Sequence, residues 1–252
     1  MRSEILKEIS SLEETKNIKI HLAVESGSRA WGCPSTDSDY DVRIIYSRPM
    51  EDYLRIDAFP DNMDYFIGKE LDINGWDISK TLKLIRKSNV TPFEWAQSPV
   101  VYKERSDFSK QILGLCKLYF SPRHAINHYR GIAKNTYFEI KDTETMKLKK
   151  LFYVLRPLMA AKWIIQKNEV PPMDISSLRP VLENDVIEKE MDDLLSFKTT
   201  VDESYLHSLS DSMSSYIENT FELINSSDVQ EREDLPGVDN LNEAFRKIIQ
   251  LD

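Results

Sequence analysis

Residues 25–42 read ESGSRAWGCPSTDSDYDV, and the order of elements around this stretch decides the fold. The preceding residues 17–24 place an aliphatic side chain at every second position, which predicts a β-strand that ends at Glu25. A turn and a short helical stretch follow over residues 26–32, and a polar loop then leads to a second strand over residues 39–46. The predicted arrangement is therefore strand, turn, short helix and strand.

The turn after the first strand has residues suited to phosphate binding. Gly27 allows a tight turn and a close backbone approach to a ligand, and Ser26 and Ser28 flank it with hydroxyl groups. The chain then enters a helix, whose first N–H groups have no partner within the helix and suit a phosphate oxygen. We therefore predict that Ser26, Gly27 and Ser28 bind the phosphates of a nucleotide.

Two aspartates stand one residue apart at the start of the second strand. Alternation along a strand puts Asp39 and Asp41 on one face and Tyr40 on the other. Neighbouring carboxylates repel each other unless a cation lies between them, and Mg²⁺ is usually held by one or two carboxylates together with substrate phosphates. The pattern predicts a divalent-cation site, with Mg²⁺ as the first expectation and Mn²⁺ as the alternative.

Together the two halves resemble a known signature. GSRAWG at residues 27–32, followed by SDYD at residues 38–41, is similar to the signature of the DNA polymerase β nucleotidyltransferase superfamily. The resemblance implies that Asp39 and Asp41 bind two divalent metal ions, which align an attacking hydroxyl with the α-phosphate of a nucleoside triphosphate while pyrophosphate leaves. It also implies a third carboxylate on a neighbouring strand.

Three aspartates are candidates for that third carboxylate: Asp64, Asp72 and Asp77. Asp72 matches the family pattern of an acidic strand residue shortly before a helix, so we predict it as the third catalytic and metal-binding residue. Ser79 is a candidate N-cap of the helix that follows, and Asp77, which adjoins it, is assigned to capping that helix rather than to catalysis. Asp64 is the second candidate, and a solvent-exposed strand aspartate is the alternative interpretation of Asp72.

The pattern of the chain changes near residue 105. A further strand pair is predicted over residues 63–68 and 69–76, whereas the remainder reads as helices. Helices are predicted at residues 3–15, 143–168, 183–195 and 202–224, and after a capping box formed by Asn240 and Glu243. The expected fold class is α+β. A small mixed β-sheet nucleotidyltransferase domain, palm-like by resemblance, spans residues 1–105, and a helical domain spans residues 106–252.

A closer resemblance covers most of the chain. Four stretches are similar to the RNA-ligase-associated polymerase β (RlaP) family, also described as YcgL-like nucleotidyltransferases: GWDISK from residue 75, KSNVTPFEWAQSPVVY from residue 87, NHYRGIAK from residue 127 and KKLFYVLRPLMAAKWI from residue 149. The family name implies a role in RNA repair.

Basic residues of the helical half are candidates for binding the triphosphate. Lys150 and Tyr153 are the preferred pair, since they lie beside the kink expected at Pro157. Arg130 and Lys134 form a second basic pair, spaced i, i+4 on a helix. A solvated helix face is the alternative interpretation for each of these residues.

Composition limits the classes of partner. The formal net charge is −9, which argues against extended DNA binding because long duplexes are bound by neutralising phosphates. The two cysteines form no CxxC pair, so a cysteine-rich zinc site is excluded. No stretch has the apolar core of a signal peptide or the length of a membrane span, so a cytoplasmic location without membrane contact is expected.

The leading interpretation is therefore an enzyme that moves a nucleoside monophosphate from a nucleoside triphosphate, ATP included, to an acceptor. The acceptor can be an RNA end, as the family name implies, a protein hydroxyl or a small molecule. A protein-modifying (AMPylating) minimal nucleotidyltransferase is one alternative. A catalytically inactive, nucleotide-binding regulatory module is the other.

Overall fold

The computed structural model describes residues 1–67 and 70–250 of the 252-residue chain. Contacts divide the chain into two compact units. Unit 1 consists of Met1–Ala30, Asp39–Phe120 and Asp234–Asp252, and unit 2 consists of Trp31–Ser38 and Ser121–Glu233. This division differs from the predicted boundary at residue 105, because residues 106–120 and the last helix pack in unit 1 while residues 31–38 pack in unit 2.

The strands confirm the α+β class. They are β1 Lys19–Glu25, β2 Tyr40–Ser47, β3 Asn62–Ile67, β4 Leu71–Asp77, β5 Val101–Glu104, β6 Met146–Lys147 and β7 Leu206–His207. In unit 1 a five-stranded sheet has the order β3-β4-β2-β1-β5, and in unit 2 β6 pairs with β7. The β6–β7 pair was not predicted, since two-residue strands carry no readable alternation. Gly68 and Lys69, where the predicted strand pair met, lie outside the described residues.

Helices pack with the sheet in unit 1 and make up most of unit 2. Those of unit 1 are α1 Arg2–Lys16, α2 Gly27–Ala30, α3 Met50–Tyr53, α4 Ile78–Arg86, α5 Val90–Gln97 and α6 Phe108–Leu118, with α12 Asp239–Ile249 near the end of the chain. Those of unit 2 are α7 Pro122–Ile140, α8 Leu148–Lys167, α9 Ile175–Leu178, α10 Asp185–Lys198 and α11 Asp211–Ser226, with a 3₁₀ turn at Arg179–Val181.

Along the first half of β2, residues 40–44, the sheet of unit 1 has one apolar face and one charged face. Val42, Ile44 and Tyr46 are fully buried and pack with apolar residues of α1. Asp41 and Arg43 lie at the intervening positions and are half-buried. Because side chains alternate across a strand, burial of the first set against α1 directs the second set to the opposite face. This register places charged residues on one face of the sheet.

The start of α4 is fixed by a buried carboxylate. Asp77 is fully buried and is the N-cap residue, and its Oδ1 accepts a hydrogen bond from the Ser79 backbone N–H at 2.8 Å. Its Oδ2 accepts a hydrogen bond from the Tyr53 hydroxyl at 2.9 Å. Burial raises the pKa of Asp77 above its usual value. The prediction that Asp77 caps this helix is confirmed, whereas capping by Ser79 is wrong, because Ser79 lies inside the first turn and supplies a donor.

The last helix of unit 1 begins without the predicted capping box. α12 starts at Asp239, so Asn240 lies within the helix, and Val238 at the N-cap position makes no side-chain capping bond. The prediction for Asn240 and Glu243 is wrong because the helix starts earlier than the box requires. The helix is held by packing instead, with the Phe245 ring edge-on to Tyr53 at 5.0 Å between centroids.

Unit 2 is built around α8, which buries an arginine. Arg156 is 1% exposed, and its Nη2 donates to the Met173 carbonyl at 3.1 Å. Its guanidinium lies 5.3 Å from the ring centroid of Trp31 and 5.4 Å from that of Tyr129. These contacts satisfy a charge that would otherwise be costly to bury. Among the described helices, α8 included, none is long and apolar enough to cross a membrane.

Segment 31–38 is anchored within unit 2 by polar contacts. Lys198 is 1% exposed, and its ammonium donates to Ser35 Oγ at 2.9 Å. Thr36 N donates to the Val201 carbonyl at 3.1 Å, and the Glu203 backbone N–H donates to Asp37 Oδ1 at 2.9 Å. Burial lowers the pKa of Lys198. The loop inside the signature sequence is therefore a fixed part of the helical unit.

Candidate active site

Asp41 and Asp72 are brought side by side by the parallel pairing of β2 and β4. Their Cα atoms are register partners, and both side chains lie on the charged face of the sheet. The side chain of Asp41 is 30% exposed and that of Asp72 is 29% exposed. Two residues far apart in sequence thus form a carboxylate pair that solvent can reach.

Asp39 lies just outside this ladder. β2 begins at Tyr40, one residue later than predicted, so Asp39 is exposed and precedes the strand. Arg29 positions its backbone: the Arg29 Nε–H donates to the Asp39 carbonyl at 3.1 Å, and the guanidinium lies 3.9 Å from the ring centroid of Tyr40. The role of Asp39 in binding metal remains a prediction.

Asp64, the second candidate for the third carboxylate, is aligned with a residue of β4 two positions along the strand from Asp72. It is the register partner of Asn74 on β4, whereas Asp41 is the partner of Asp72. Asp64 is exposed, and its Oδ1 accepts a hydrogen bond from the Asn74 side-chain amide. Register therefore favours Asp72 over Asp64 as the partner of Asp41.

Arg43 bridges the carboxylate pair. Its Nη2 lies 2.8 Å from Asp41 Oδ1 and 2.9 Å from Asp72 Oδ2. Its Nη1 donates to the Val42 carbonyl at 3.1 Å and to the Asp72 carbonyl at 3.3 Å. Sequence analysis missed this residue, although the alternation that places Asp41 on this face also places Arg43 there.

The Gly27 turn lies directly against Asp41. Gly27 has φ +59°, a left-handed conformation that favours glycine, and a Cβ atom at this position would lie 2.2 Å from Asp41 Oδ2. The Ser26 backbone N–H donates to the Asp41 carbonyl at 2.8 Å, and Ser28 is buried in the short helix α2. The predicted phosphate-binding turn and the carboxylate pair are therefore adjacent in unit 1.

The buried carboxylate of Glu25, which sequence analysis missed, holds the backbone of Asp41 in place. Glu25 is 1% exposed, and its Oε1 accepts a hydrogen bond from the Asp41 backbone N–H at 2.8 Å. Its Oε2 accepts a hydrogen bond from the Tyr102 hydroxyl, and its carbonyl accepts one from Ser98 Oγ at 2.6 Å. Burial raises the pKa of Glu25 above its usual value. The only signal in the sequence was an acidic residue at the end of an apolar strand.

The carboxylate pair has the chemistry of a divalent-cation site whose remaining coordination positions are filled by other oxygen ligands. Among the described residues no three His, Cys, Asp or Glu side chains are close enough to hold a metal ion by themselves. Asp41 Oδ1 and Asp72 Oδ2 nevertheless converge on one cationic nitrogen, and Asp72 Oδ1 is buried without a hydrogen-bond partner. Two convergent carboxylates with open positions match the way Mg²⁺ is usually bound beside substrate phosphates.

The residues of the helical half that were predicted to contact the triphosphate lie in unit 2. Lys150 and Tyr153 are on α8, and Arg130 and Lys134 are on α7. Lys150 is exposed, and its Nζ lies 2.7 Å from Glu139 Oε2. Tyr153 packs its ring against Trp31, with 4.9 Å between centroids. Of the second basic pair, Arg130 donates to Asn225 Oδ1 at 3.1 Å, and the Lys134 ammonium lies 5.5 Å from the ring centroid of Phe138. Nucleotide binding by these residues remains a prediction.

Comparisons with known proteins identify a sequence family whose model matches this chain. The sequence model of the family described as "RlaP: RNA repair pathway DNA polymerase beta family" matches residues 1–247. Protein YcgL of Bacillus subtilis (strain 168) is 38% identical over 225 residues, covering 89% of this chain and 86% of that protein.

A structural comparison gives only a weak likeness. The crystal structure of a nucleotidyltransferase-like protein from Exiguobacterium sibiricum 255-15 aligns with 91% of this chain and 74% of that chain, at 10% identity and a TM-score of 0.31. A TM-score this low supports no conclusion about fold or site.

Proposed function

Because this chain belongs to the RNA repair pathway DNA polymerase beta family, we propose that it transfers a nucleoside monophosphate from a nucleoside triphosphate to an acceptor hydroxyl. The observation that carries the proposal is the carboxylate pair of Asp41 and Asp72, held in register beside the Gly27 turn. A cation site next to a glycine turn that can approach a phosphate closely is the arrangement that phosphate chemistry requires.

Each residue of the site has a proposed role. Asp41 and Asp72 hold a divalent cation, and Asp39 adds a third carboxylate from the loop before β2. Ser26, Gly27 and Ser28 bind the phosphates, because the turn that they form packs directly against the Asp41 carboxylate and so brings its backbone next to the cation site. When bound, Mg²⁺ supplies Lewis-acid stabilisation of the charge that develops on the phosphate oxygens.

The proposed reaction exchanges one P–O bond for another. The acceptor hydroxyl oxygen forms a bond to the α-phosphorus, and the bond from that phosphorus to the oxygen bridging to the β-phosphate breaks. Pyrophosphate leaves with the electron pair of the broken bond, and the hydroxyl proton passes to the Asp72 carboxylate. Orientation of the two reactants and electrostatic stabilisation account for most of the catalysis expected at such a site.

An RNA 3′ hydroxyl is the acceptor that the family description favours. The family is associated with RNA repair, which requires chemistry at RNA ends. The net charge of −9 is consistent with contact to one end and argues against contact along a long duplex. We therefore propose RNA ends as the first acceptor class.

A transfer assay with labelled nucleotides tests the proposal. The protein is incubated with each α-labelled ribonucleoside triphosphate, Mg²⁺ and RNA that ends in a 3′ hydroxyl, or with matched RNA that ends in a 3′ phosphate. Label is expected only on the hydroxyl-ended RNA. Asp41→Asn and Asp72→Asn are expected to lower the rate at least about 100-fold, because several kcal/mol of transition-state stabilisation are lost.

Asp64→Asn is the matched control. Asp64 is an exposed carboxylate on the same sheet, but it is aligned with Asn74, two positions along β4 from Asp72. The variant is expected to retain transfer. Label that appears on protein instead of RNA would move the acceptor class to protein hydroxyls. Absence of both transfer and Mg²⁺-dependent triphosphate binding would overturn the enzyme proposal.

The contact of Arg43 favours a second candidate function. Its guanidinium already occupies the two carboxylates, so a module that binds nucleotide without transferring it is compatible with the same geometry. Such a module would bind triphosphate and give no labelled product with RNA, protein or small-molecule acceptors. The same assay, with a parallel binding measurement, separates the two functions.

A further inference from the structure

One nitrogen atom of Arg43 contacts both carboxylates of the candidate site. Nη2 lies 2.8 Å from Asp41 Oδ1 and 2.9 Å from Asp72 Oδ2, while Nη1 is tied to the carbonyls of Val42 and Asp72. The Arg43 side chain is 18% exposed. The guanidinium therefore fills the space where two carboxylate oxygens converge.

A divalent cation held where the two carboxylates converge would use those same oxygens. A cation between neighbouring carboxylates removes their mutual repulsion, and charge-assisted hydrogen bonds to guanidinium are among the stronger polar contacts. Arginine stays protonated in proteins, so the contact cannot be relieved by loss of a proton. For a metal ion to bind both carboxylates, the guanidinium has to move away.

We propose that Arg43 is the resident counter-ion of the Asp41–Asp72 pair and that a divalent cation and the nucleotide triphosphate displace it together. This proposal rests on the proposed function. The metal takes the carboxylates, and the displaced guanidinium turns to the phosphate oxygens, which match its planar fork of donors. Metal and triphosphate thereby help each other to bind, because each takes one partner of an ion pair that neither opens easily alone.

The coupling has two measurable consequences. Metal alone binds the wild-type protein weakly, since it competes with an internal cation. Triphosphate raises the affinity for metal, and metal raises the affinity for triphosphate by the same factor, as linkage requires. Removal of the arginine charge should therefore strengthen the binding of metal alone and weaken the coupling.

Binding of Mn²⁺ to the full chain tests the inference without any turnover. Free Mn²⁺ is measured by electron paramagnetic resonance with wild type, Arg43→Gln and Arg43→Met, each with and without α,β-methylene ATP, which cannot transfer its nucleotide. We expect both variants to bind Mn²⁺ alone at least about tenfold more tightly than wild type, within the usual range of coupling. We expect the nucleotide analogue to tighten Mn²⁺ binding by a larger factor in wild type than in either variant.

Two further variants and one stability measurement complete the design. Arg43→Lys keeps the charge and is expected to bind Mn²⁺ alone as weakly as wild type, which separates charge from shape. The double variant Asp41→Asn with Asp72→Asn is expected to lose Mn²⁺ binding. Thermal unfolding with and without Mn²⁺ checks that each variant folds, and Mn²⁺ should raise the Tm of Arg43→Gln more than that of wild type.

The outcomes are distinguishable. Equal or weaker Mn²⁺ binding by both charge-removing variants would overturn the role of Arg43 and leave the proposed function intact. Absence of Mn²⁺ binding in wild type and in both of these variants, with nucleotide present, would overturn this inference together with the metal-dependent function.

Discussion

Gly27 faces Asp41 so closely that a Cβ atom at position 27 would lie 2.2 Å from Asp41 Oδ2. This distance is far below van der Waals contact, and Gly27 also has a left-handed φ of +59°. The carboxylate of Asp41 and the backbone of the signature turn are therefore fitted to each other. The glycine of the signature is required by a contact as well as by its conformation.

Gly27→Ala is expected to abolish nucleotide transfer and to weaken metal binding. The added methyl group displaces the Asp41 carboxylate from its place beside Asp72, and the left-handed φ costs about 1–2 kcal/mol of stability as well. Transfer rate, Mn²⁺ affinity and Tm are measured together. Gly32→Ala is the matched control, because Gly32 has φ +81° but no atom within 4 Å of an added Cβ. It should show the strain penalty without the loss of metal binding, and equal metal affinity in the two variants would contradict the contact argued for Gly27.

Glu25→Gln is expected to make stability less dependent on pH. Burial raises the pKa of Glu25 above 4.5, its ordinary value, so the folded state holds a proton more tightly than the unfolded state. The contribution of Glu25 to stability is therefore fully present below pH 4.5 and is lost as pH rises through the raised pKa. Tm is measured for both proteins from acidic to neutral pH. The Tm of wild type should fall relative to the variant across this window, and parallel profiles would refute the raised pKa.

Arg156→Ala is expected to lower the free energy of unfolding by about 3 kcal/mol, because it leaves a cavity and removes the donors to the Met173 carbonyl. Arg179→Ala is the control. Arg179 is a partly exposed arginine whose Nη2 donates to Asp192 Oδ2 at 2.8 Å, and its loss should cost less than about 1 kcal/mol. Urea unfolding of both variants gives the comparison, and a similar loss in the two would argue against a special role for the buried arginine.

Lys150→Ala is expected to raise the KM for nucleoside triphosphate about tenfold or more, as loss of one charge-assisted hydrogen bond to a phosphate would. The ion pair of Lys150 with Glu139 is exposed, so Tm should change little. Glu139→Gln removes the same ion pair and keeps the lysine, and its KM should equal that of wild type. If both variants shift KM alike, the ion pair matters and the predicted phosphate contact fails.

The carboxylates at the site were predictable in part. The signature residues pointed to Asp41, and the position of Asp72 before α4 favoured it over Asp64, which stayed the second candidate. The register of β2 with β4 places Asp72 beside Asp41, and the catalytic role of these residues stays a prediction. Alternation also placed Tyr40 on the strand face opposite to Asp41, the face on which Val42 and Ile44 are buried. Local patterns of this kind are fixed by side-chain period and hydrophobicity, which are written in adjacent residues.

What escaped prediction depends on contacts between residues distant in sequence. The bridge from Arg43 to Asp72 exists only because two strands pair in parallel, and the support of Asp41 by Glu25 depends on how the strand end is buried. Lys198 is buried beside Ser35, although a lysine near a helix end reads as a solvated residue. Burial and register come from the assembled fold, so a local pattern cannot specify them.

The order of the two units along the chain constrains when each unit can finish folding during synthesis. Unit 1 holds the first residues, the sheet and α12, with Phe245 of α12 against Tyr53, while the residues between Ser121 and Glu233 belong to unit 2. A ribosome therefore delivers nearly all of the helical unit before the sheet unit can receive its last helix. Until then the surface around Tyr53 stays uncovered on the nascent chain. Completion of the unit that carries Asp41 and Asp72 is thus a late event, because it requires α12.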